Sequence, residues 1–314
     1  MMKINKYLVF GLLIGMAFTS CKSDDDGTPP VPLRDEAEVA AEDDTEIREF
    51  LETHFYEMVP NPLNANYQII QFDTIAGENS EKEPIMDSEF LKTKIIAQNE
   101  VDYTLYYLKI REGAPTKPKP TFADLVVVTY RGQLLDLTKF DESVSPVKFN
   151  LPGDNGLGGL IQGFIKTLVE FRGASESTKN PDNTIEFSDD FGIGAAFIPS
   201  GLAYFASPPT STIPQYAPLI FTFQVYETVQ GDPDGDGIPS IYEDLDGNGL
   251  LTDDSDADGV SDFLDTDDDG DRTLTADEII VEDINEDGYI TENEITLTDS
   301  NSDGTPDYLD PEVK

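Results

Sequence analysis

The chain of 314 residues has one cysteine, one histidine and no tryptophan. A single cysteine excludes a disulfide framework. A lone His54 excludes a His-rich zinc centre and any catalytic pair of histidines. Basic residues are scarce: 20 Lys and Arg stand against 63 Asp and Glu, a formal net charge of −43. Nucleic acid is therefore not expected as a partner, because phosphate contacts need clustered Lys and Arg and this surface repels polyanions. What is plentiful is aromatic: 13 Tyr and 18 Phe supply at least one real core. The length points to roughly two domains.

At the N-terminus, Lys3 and Lys6 precede an apolar run at residues 7–18, and Thr19, Ser20 and Cys21 follow. At 12 residues the run is short of the about 20 that a membrane-spanning helix needs. A basic start, a short apolar run and small residues read as a secretory signal. Residues 18–21 (FTSC) resemble a bacterial lipobox, in which the cysteine becomes the lipidated first residue of the mature protein. Phe18 departs from the Leu commoner at that position. Residues 22–26 (KSDDD) resemble the acidic signal behind the lipidated cysteine of surface-exposed lipoproteins in Bacteroidota-type bacteria. The resemblance implies a signal peptide over 1–20, a lipid anchor on Cys21 with the membrane as partner, and a place in the bacterial cell envelope, at the outer membrane. Residues 21–44, Pro-rich and then acidic, read as a tether. Over 45–97 the expectation is a helix and a leading strand segment. Ile47, Phe50, Leu51 and Phe55 recur at helical spacing across 46–57, and His54 rides on that helix as a surface or half-buried residue.

The middle of the chain is strand-rich. Residues 67–72 and 103–110 read as strands, and 125–130 (LVVVTY) is a buried β-branched run. Residues 219–226 alternate, with Phe221, Phe223 and Val225 one way and Thr222 and Gln224 the other. Leu160, Ile161, Phe164, Ile165, Leu168 and Val169 repeat at helical spacing. The glycines ahead of them (Gly153, Gly156, Gly158, Gly159) lack the Lys-Ser/Thr of a phosphate loop and read as a turn. The pattern predicts an α+β domain over 98–229, an antiparallel sheet packed on one short helix.

Six segments carry a resemblance: 127–134 (VVTYRGQL), 139–143 (KFDES), 147–151 (VKFNL), 160–164 (LIQGF), 198–204 (IPSGLAY) and 213–221 (IPQYAPLIF). In this order, across about 124–228, they resemble FKBP-type peptidyl-prolyl cis-trans isomerases. The resemblance implies a curved antiparallel sheet around a short helix and a dry aromatic pocket for proline-containing polypeptides. It implies isomerisation of the X–Pro bond with no catalytic cofactor. Its pocket residues fall on Tyr130, Phe140, Asp141, Phe149, Leu160, Ile161, Phe164, Tyr204, Ile213 and Phe221. Phe149, Phe164 and Phe221 would wall and floor the proline site. Ile213 would offer a backbone N–H, Tyr204 a hydroxyl, and Asp141 a polar rim. The departures are Phe164 where well-studied members have Trp, Val147 where an aromatic is common, Gln215 for the second Pro of Ile-Pro-Pro, and Phe205 for the Gly after Ala-Tyr. A polar insertion at about 172–190 reads as a surface loop or flap. Two alternatives stay open: a non-catalytic proline-binding module, and a calcium-stiffened surface interaction protein.

Residues 231–314 hold 29 Asp and Glu against Arg272 and Lys314, a balance of −27. A like-charged block is commonly a disordered tail, but here the carboxylates recur at fixed offsets. Asp283, Asn285, Asp287, Gly288, Tyr289, Ile290, Thr291 and Glu294 fit the EF-hand loop, in which alternate side chains converge on one hard cation and Gly permits the sharp turn. Asp267, Asp269, Asp271, Thr273, Leu274, Thr275 and Glu278 follow the same ruler with Arg272 at the Gly position, which is expected to weaken the loop or shift its register. A second pattern fits Asp254, Asp256, Asp258, Gly259, Asp262 and Asp265, and again Asp299, Asn301, Asp303, Gly304, Asp307 and Asp310. A looser copy is Asp232, Asp234, Asp236, Gly237, Ser240 and Glu243, and Asp244, Asp246, Asn248 and Gly249 begin one more. These resemble calcium-binding thrombospondin type 3-like repeats. The resemblance implies calcium ions in residues 230–314 and little regular structure. Magnesium fits less well, since it keeps its waters.

Overall fold

The computed structural model describes residues 32–62, 64–153, 156 and 159–314. The expected signal segment, Cys21 and Gly158 lie outside the described residues. Arg34–Lys314 is one compact unit.

Helix α1 spans Glu36–Thr53. The Asp35 carboxylate accepts the Glu38 N–H at 2.9 Å, and Glu36 and Glu38 complement the positive end of the helix. Val39, Asp43, Ile47, Phe50 and Leu51 form its buried stripe. The helix thus starts at Glu36, not at residue 46, and residues 36–44, read as tether, are helical. Glu36, Glu38, Glu42 and Asp44 keep their charges at least partly exposed, where they do not oppose helix formation, and of the acids in 36–44 only Asp43 is buried. The chain turns extended at His54, which begins β1 (His54–Asn61) and stacks on Phe50 with ring centroids 4.0 Å apart. β1 pairs antiparallel with β2 (Asn64–Thr74).

The main sheet has six strands: β3 (Leu91–Gln98), β4 (Val101–Arg111), β5 (Leu125–Leu134), β6 (Lys139–Asn150), β9 (Gly192–Ile198) and β10 (Leu219–Val229). Their order is β3-β4-β9-β10-β5-β6, every pair antiparallel. Side chains alternate between two apolar layers. Along β10, Leu219, Phe221, Phe223 and Val225 join Phe164 and Leu168 of α2 (Gln162–Leu168), whereas Ile220 and Tyr226 join Ile47, Phe50 and Leu51 of α1 and Ile70 and Phe72 of β2. The face carrying Thr222 and Gln224 is therefore covered, not open to water. Gln224 is satisfied there by Thr129 at 3.0 Å and by the Tyr226 hydroxyl at 2.6 Å, and it donates to the Gln68 carbonyl. Gly163 lets α2 close on the sheet: a Cβ there would lie 2.3 Å from Ile198 Cγ2. That contact offsets the roughly 1 kcal/mol that Gly costs inside a helix.

The insertion forms a small hairpin, β7 (Ser177–Lys179) with β8 (Ile185–Phe187). Phe187 stacks on Tyr226 at 4.9 Å, which anchors the hairpin on the α1 face. α2 lies on the other face, so the insertion is not a flap over it.

Residues 231–314 fold into turns with α3 (Thr275–Glu278) and a two-stranded ladder, β11 (Ile279–Val281) with β12 (Ile295–Leu297). They are seated on the sheet domain. The buried Asp124 carboxylate accepts the Thr121 and Gly231 N–H groups at 2.6 and 3.0 Å, and the Leu251 N–H donates to the Gly156 carbonyl at 3.2 Å. Leu251 and Phe263 pack on Ala123. Among the described residues no helix is long and apolar enough to cross a membrane.

Candidate functional site

One end of α2 opens into a cleft of about 430 Å³. β5 contributes Tyr130, and β6 contributes Asp141 and Phe149. The start of α2 brings Leu160, Ile161 and Phe164, the turn after β9 brings Tyr204, and β10 brings Phe221. The rings interlock. Phe164 and Phe221 stack at 4.7 Å and 24°, Phe149 stands edge-on to Phe164 at 6.4 Å, and Tyr130 lies 5.4 Å from Phe149. Such pairs contribute about 0.5–1.5 kcal/mol each beyond burial. Phe140 does not line the cleft. It buttresses Phe221 from behind at 5.6 Å, in the space left by Gly132, where a Cβ would lie 2.5 Å from the Phe140 ring.

The polar groups divide into committed and free. The Tyr130 hydroxyl donates to Asp141 Oδ2 at 2.6 Å, and burial, with that carboxylate second, raises the Tyr130 pKa. The half-buried Tyr204 hydroxyl has no hydrogen-bond partner among the described residues, and burial raises its pKa. Ile213 departs from expectation. Its N–H donates to the Thr210 carbonyl at 3.3 Å and its side chain is core, because residues 210–213 close a turn. The Ile161 N–H, ahead of the first turn of α2, has no acceptor among the described residues. It is a donor that motif-matching overlooked.

A second residue overlooked is Asp43. It is 2% exposed, and its Oδ2 accepts the Ser200 N–H at 2.7 Å and the Ser200 hydroxyl at 2.6 Å. Burial, against those bonds, pushes its pKa up to about 6. Ser200 opens the turn that leads to Tyr204, so α1 clamps one wall of the cleft. The signal was an Asp between Val39 and Ile47 at helical spacing. Phe205 takes a left-handed φ of 49°, stabilised by edge contact with Tyr216 at 4.9 Å. Gln215 bridges the same loop to the Ala206 carbonyl at 2.9 Å, and Val147 pairs with Val128 at the sheet margin.

Five of the acidic loops share one device, and the first differs, its Asp232 accepting the N–H of Gly235 at 2.9 Å. The first Asp of a loop accepts the N–H five residues on: Asp244 from Gly249 at 2.9 Å, Asp254 from Gly259 at 3.1 Å, Asp283 from Gly288 at 2.8 Å and Asp299 from Gly304 at 3.1 Å. Each of these glycines has positive φ. Arg272 keeps the same conformation, at φ 86°, and the same bond, to Asp267 at 3.0 Å. The register is unshifted, and the misfit is stored as backbone strain.

Four loops bring carboxylate oxygens within 4.8 Å of one another: Asp232–Asp234–Asp236, Asp244–Asp246–Asp253, Asp254–Asp256–Asp258 and Asp267–Asp269–Asp271. Buried oxygens of Asp234, Asp236, Asp267, Asp269 and Glu278 have no hydrogen-bond partner. Burial, then neighbouring carboxylates, pushes Asp234 and Glu278 up to about 7. Two carboxylate charges about 4 Å apart at a protein surface repel by roughly 4 kcal/mol. Converging orphaned oxygens fit a hard divalent cation that takes six to eight oxygen ligands. The other expected ligands also accept hydrogen bonds within the loops. Asp262 binds the Ser255 N–H and hydroxyl at 2.7 and 2.8 Å, and Asp307 binds those of Ser300 at 2.7 Å each. Glu294 accepts from Thr291 and Ile284 N–H at 2.8 and 3.0 Å. Asp265 accepts the Asp267 N–H at 3.0 Å, and Asp310 accepts the Asn301 amide at 2.7 Å. Asp287 and Asp303 accept the N–H two residues on, from Tyr289 and Thr305, at 2.8 and 2.9 Å. Asn285 and Asn301 accept the Asp287 and Asp303 N–H groups at 2.9 Å.

A family model described as BamM C-terminal matches residues 233–281. No curated protein matches the chain. Among solved structures, the chain is similar to a peptidyl-prolyl cis-trans isomerase from Pseudomonas syringae pv. tomato, at 22% identity over 46% of this chain and 84% of that one, with a TM-score of 0.33. It is similar to FkpA from Escherichia coli at 20% identity over 61% of this chain and 62% of that one, TM-score 0.35. Wheat FKBP73, in a structure of its three FKBP domains, is similar at 14% identity over 44% of this chain and 51% of that one, TM-score 0.32.

Proposed function

We propose that the cleft binds an X–Pro segment and catalyses its cis–trans isomerisation, as an FKBP-type enzyme acting on proline-containing polypeptides. The observation that carries this reading is the stacked Phe164–Phe221 floor beside the unpartnered Tyr204 hydroxyl. An X–Pro bond crosses a barrier of roughly 18–20 kcal/mol because planarity carries the resonance of the amide. The twisted amide loses that resonance and its carbonyl becomes less polar. A dry aromatic cleft favours the twisted form over the planar one, which is differential binding of the transition state. The Ile161 N–H and the Tyr204 hydroxyl are the donors placed to hold the substrate carbonyl, and the Tyr130–Asp141 bond fixes the rim. No step needs a nucleophile or a cofactor. The test is a protease-coupled assay on an Xaa-Pro peptide. Wild type is expected to be active and a Tyr204→Ala, Phe221→Ala variant slower by roughly 10–100-fold, the equivalent of about 1.5–3 kcal/mol of lost contact. Equal inertness of the two chains sinks the enzyme reading.

The same reading assigns calcium to residues 230–314, with Asp232, Asp234, Asp236, Asp254, Asp256, Asp258, Asp267, Asp269, Asp271 and Glu278 as the best-placed ligands. Orphaned buried oxygens support it. It assigns a lipid anchor to Cys21 and an envelope location, supported by the lipobox-like residues 18–21. Mass spectrometry of the mature N-terminus tests the anchor: an unmodified Met1 or Cys21 removes it.

A further inference from the structure

Inside residues 231–314, three carboxylates from two loops distant in sequence meet: Asp236, Glu243 and Asp268. Each offers an oxygen within 4.8 Å of the other two. They are 5%, 3% and 2% exposed. Both oxygens of Glu243, both of Asp268 and Oδ2 of Asp236 lack any hydrogen-bond partner. Asp236 Oδ1 is occupied by the Ile238 N–H at 2.7 Å, so its free oxygen is the one left for the cluster. The only ion pair among the described residues of this region is Lys314 with Asp271, at 3.7 Å, so no side-chain cation neutralises the three. Asp268 is off the ruler of its own loop. Asp267 and Asp269 turn to the loop's own cluster, and Asp268 between them projects to the other side.

We infer that Asp236, Glu243 and Asp268 hold a buried calcium ion that clamps the first acidic loop, residues 232–243, to the loop at 267–271. It is separate from the ions of the exposed loops. The inference rests on the calcium reading of those loops and adds a structural site to it. The donor set is all oxygen, and two carboxylates have both oxygens free for bidentate contact, which calcium accepts at six to eight ligands. Magnesium demands an octahedron with retained waters, and groups this buried leave little room for them. Asp236 also belongs to the Asp232–Asp234–Asp236 group, so its carboxylate is common to both groups. The clamp sits beside the small core of Ile238, Ile279 and Tyr308, which draws on three segments far apart in sequence.

The test uses the full chain, stripped with chelator and then loaded with calcium chloride. Native mass spectrometry is expected to count one calcium fewer in E243Q than in wild type, and the same in D268N. The melting shift is expected to change sign: E243Q melts above wild type in chelator, where three buried carboxyl groups crowd without partners, and below it in saturating calcium. An unchanged count, or a shift of the same sign in both conditions, overturns the inference. If neither variant folds, crystals of wild type grown in calcium decide it. Anomalous density between the three carboxylates is expected, and its absence alongside density at Asp254–Asp258 overturns the clamp alone. A wild-type chain that binds no calcium anywhere overturns the loop reading with it.

Discussion

Asp43 and Asp268 are equally buried, at 2% exposed, yet they stand in opposite situations. Asp43, at the interface of α1 and the sheet domain, receives two hydrogen bonds from Ser200. Asp268, in the acidic loops, has no partner on either oxygen. The contrast extends to the regions around them. In the sheet domain the buried Asp124, Thr129 and Gln224 are also satisfied from within the protein. In the acidic loops the buried Asp262 and Asp307 are satisfied by serines, but Asp236, Glu243 and Asp268 face one another. An unsatisfied buried polar group costs about 1–3 kcal/mol, and more when charged. Asp43, Asp124 and Gln224 are thus held by donors of the chain itself, whereas on our proposed reading the carboxylates around Asp268 are held by a cation.

The strongest way to break this comparison is chelation. In calcium, amide exchange over 231–314 is expected to be as slow as over 98–229. In chelator the loops are expected to exchange at near-unfolded rates, because close carboxylates then repel, while β5, β9 and β10 stay protected. Equal protection of both regions in chelator would remove the distinction. The cleft variant comes next: Tyr204→Ala with Phe221→Ala should lower peptide isomerisation by roughly 10–100-fold and leave the calcium count unchanged, since no residue of 231–314 lines the cleft.

Asp43 gives a smaller effect with a definite sign. Its folded pKa, about 6, lies above the ordinary 3.8. The folded state thus binds the extra proton, and the stability this group contributes is fully present below about pH 4 and is lost as pH rises through about 6. Urea melts from pH 4 to 7 should show wild type falling relative to Asp43→Asn by about 2 kcal/mol; parallel curves would refute the assignment. The smallest change is Arg272→Gly. It releases a left-handed residue, worth roughly 1 kcal/mol, and should raise the calcium affinity of the 267–278 loop about fivefold by titration calorimetry, with the cleft untouched.

Much of the cleft could be read in the residues because its members lie in short motifs kept in order: Tyr130, Asp141, Phe149, Leu160, Ile161, Phe164, Tyr204 and Phe221 converge. Ile213 could not be placed that way, because the fate of its N–H depends on a turn closed by Thr210. The start of α1 was hidden by charge, since nine residues that look like a tether carry only a narrow apolar stripe. The insertion's position was hidden too. Phe187 reads the same whether it packs on α1's face of the sheet or on the other.

By itself, then, the sequence determined whatever is local and periodic: the strand alternation, the α2 stripe, and the Asp-to-Gly spacing whose glycines adopt positive φ in the loops. Periodicity relates residues within one element. The tertiary structure decided the pairings between elements. It set Asp43 against Ser200, freed the Ile161 N–H while spending that of Ile213, and turned Asp268 away from its own loop to meet Asp236 and Glu243. The physical reason is that a buried polar group's state depends on which donor or cation reaches it across the fold, and no spacing along the chain encodes that distance.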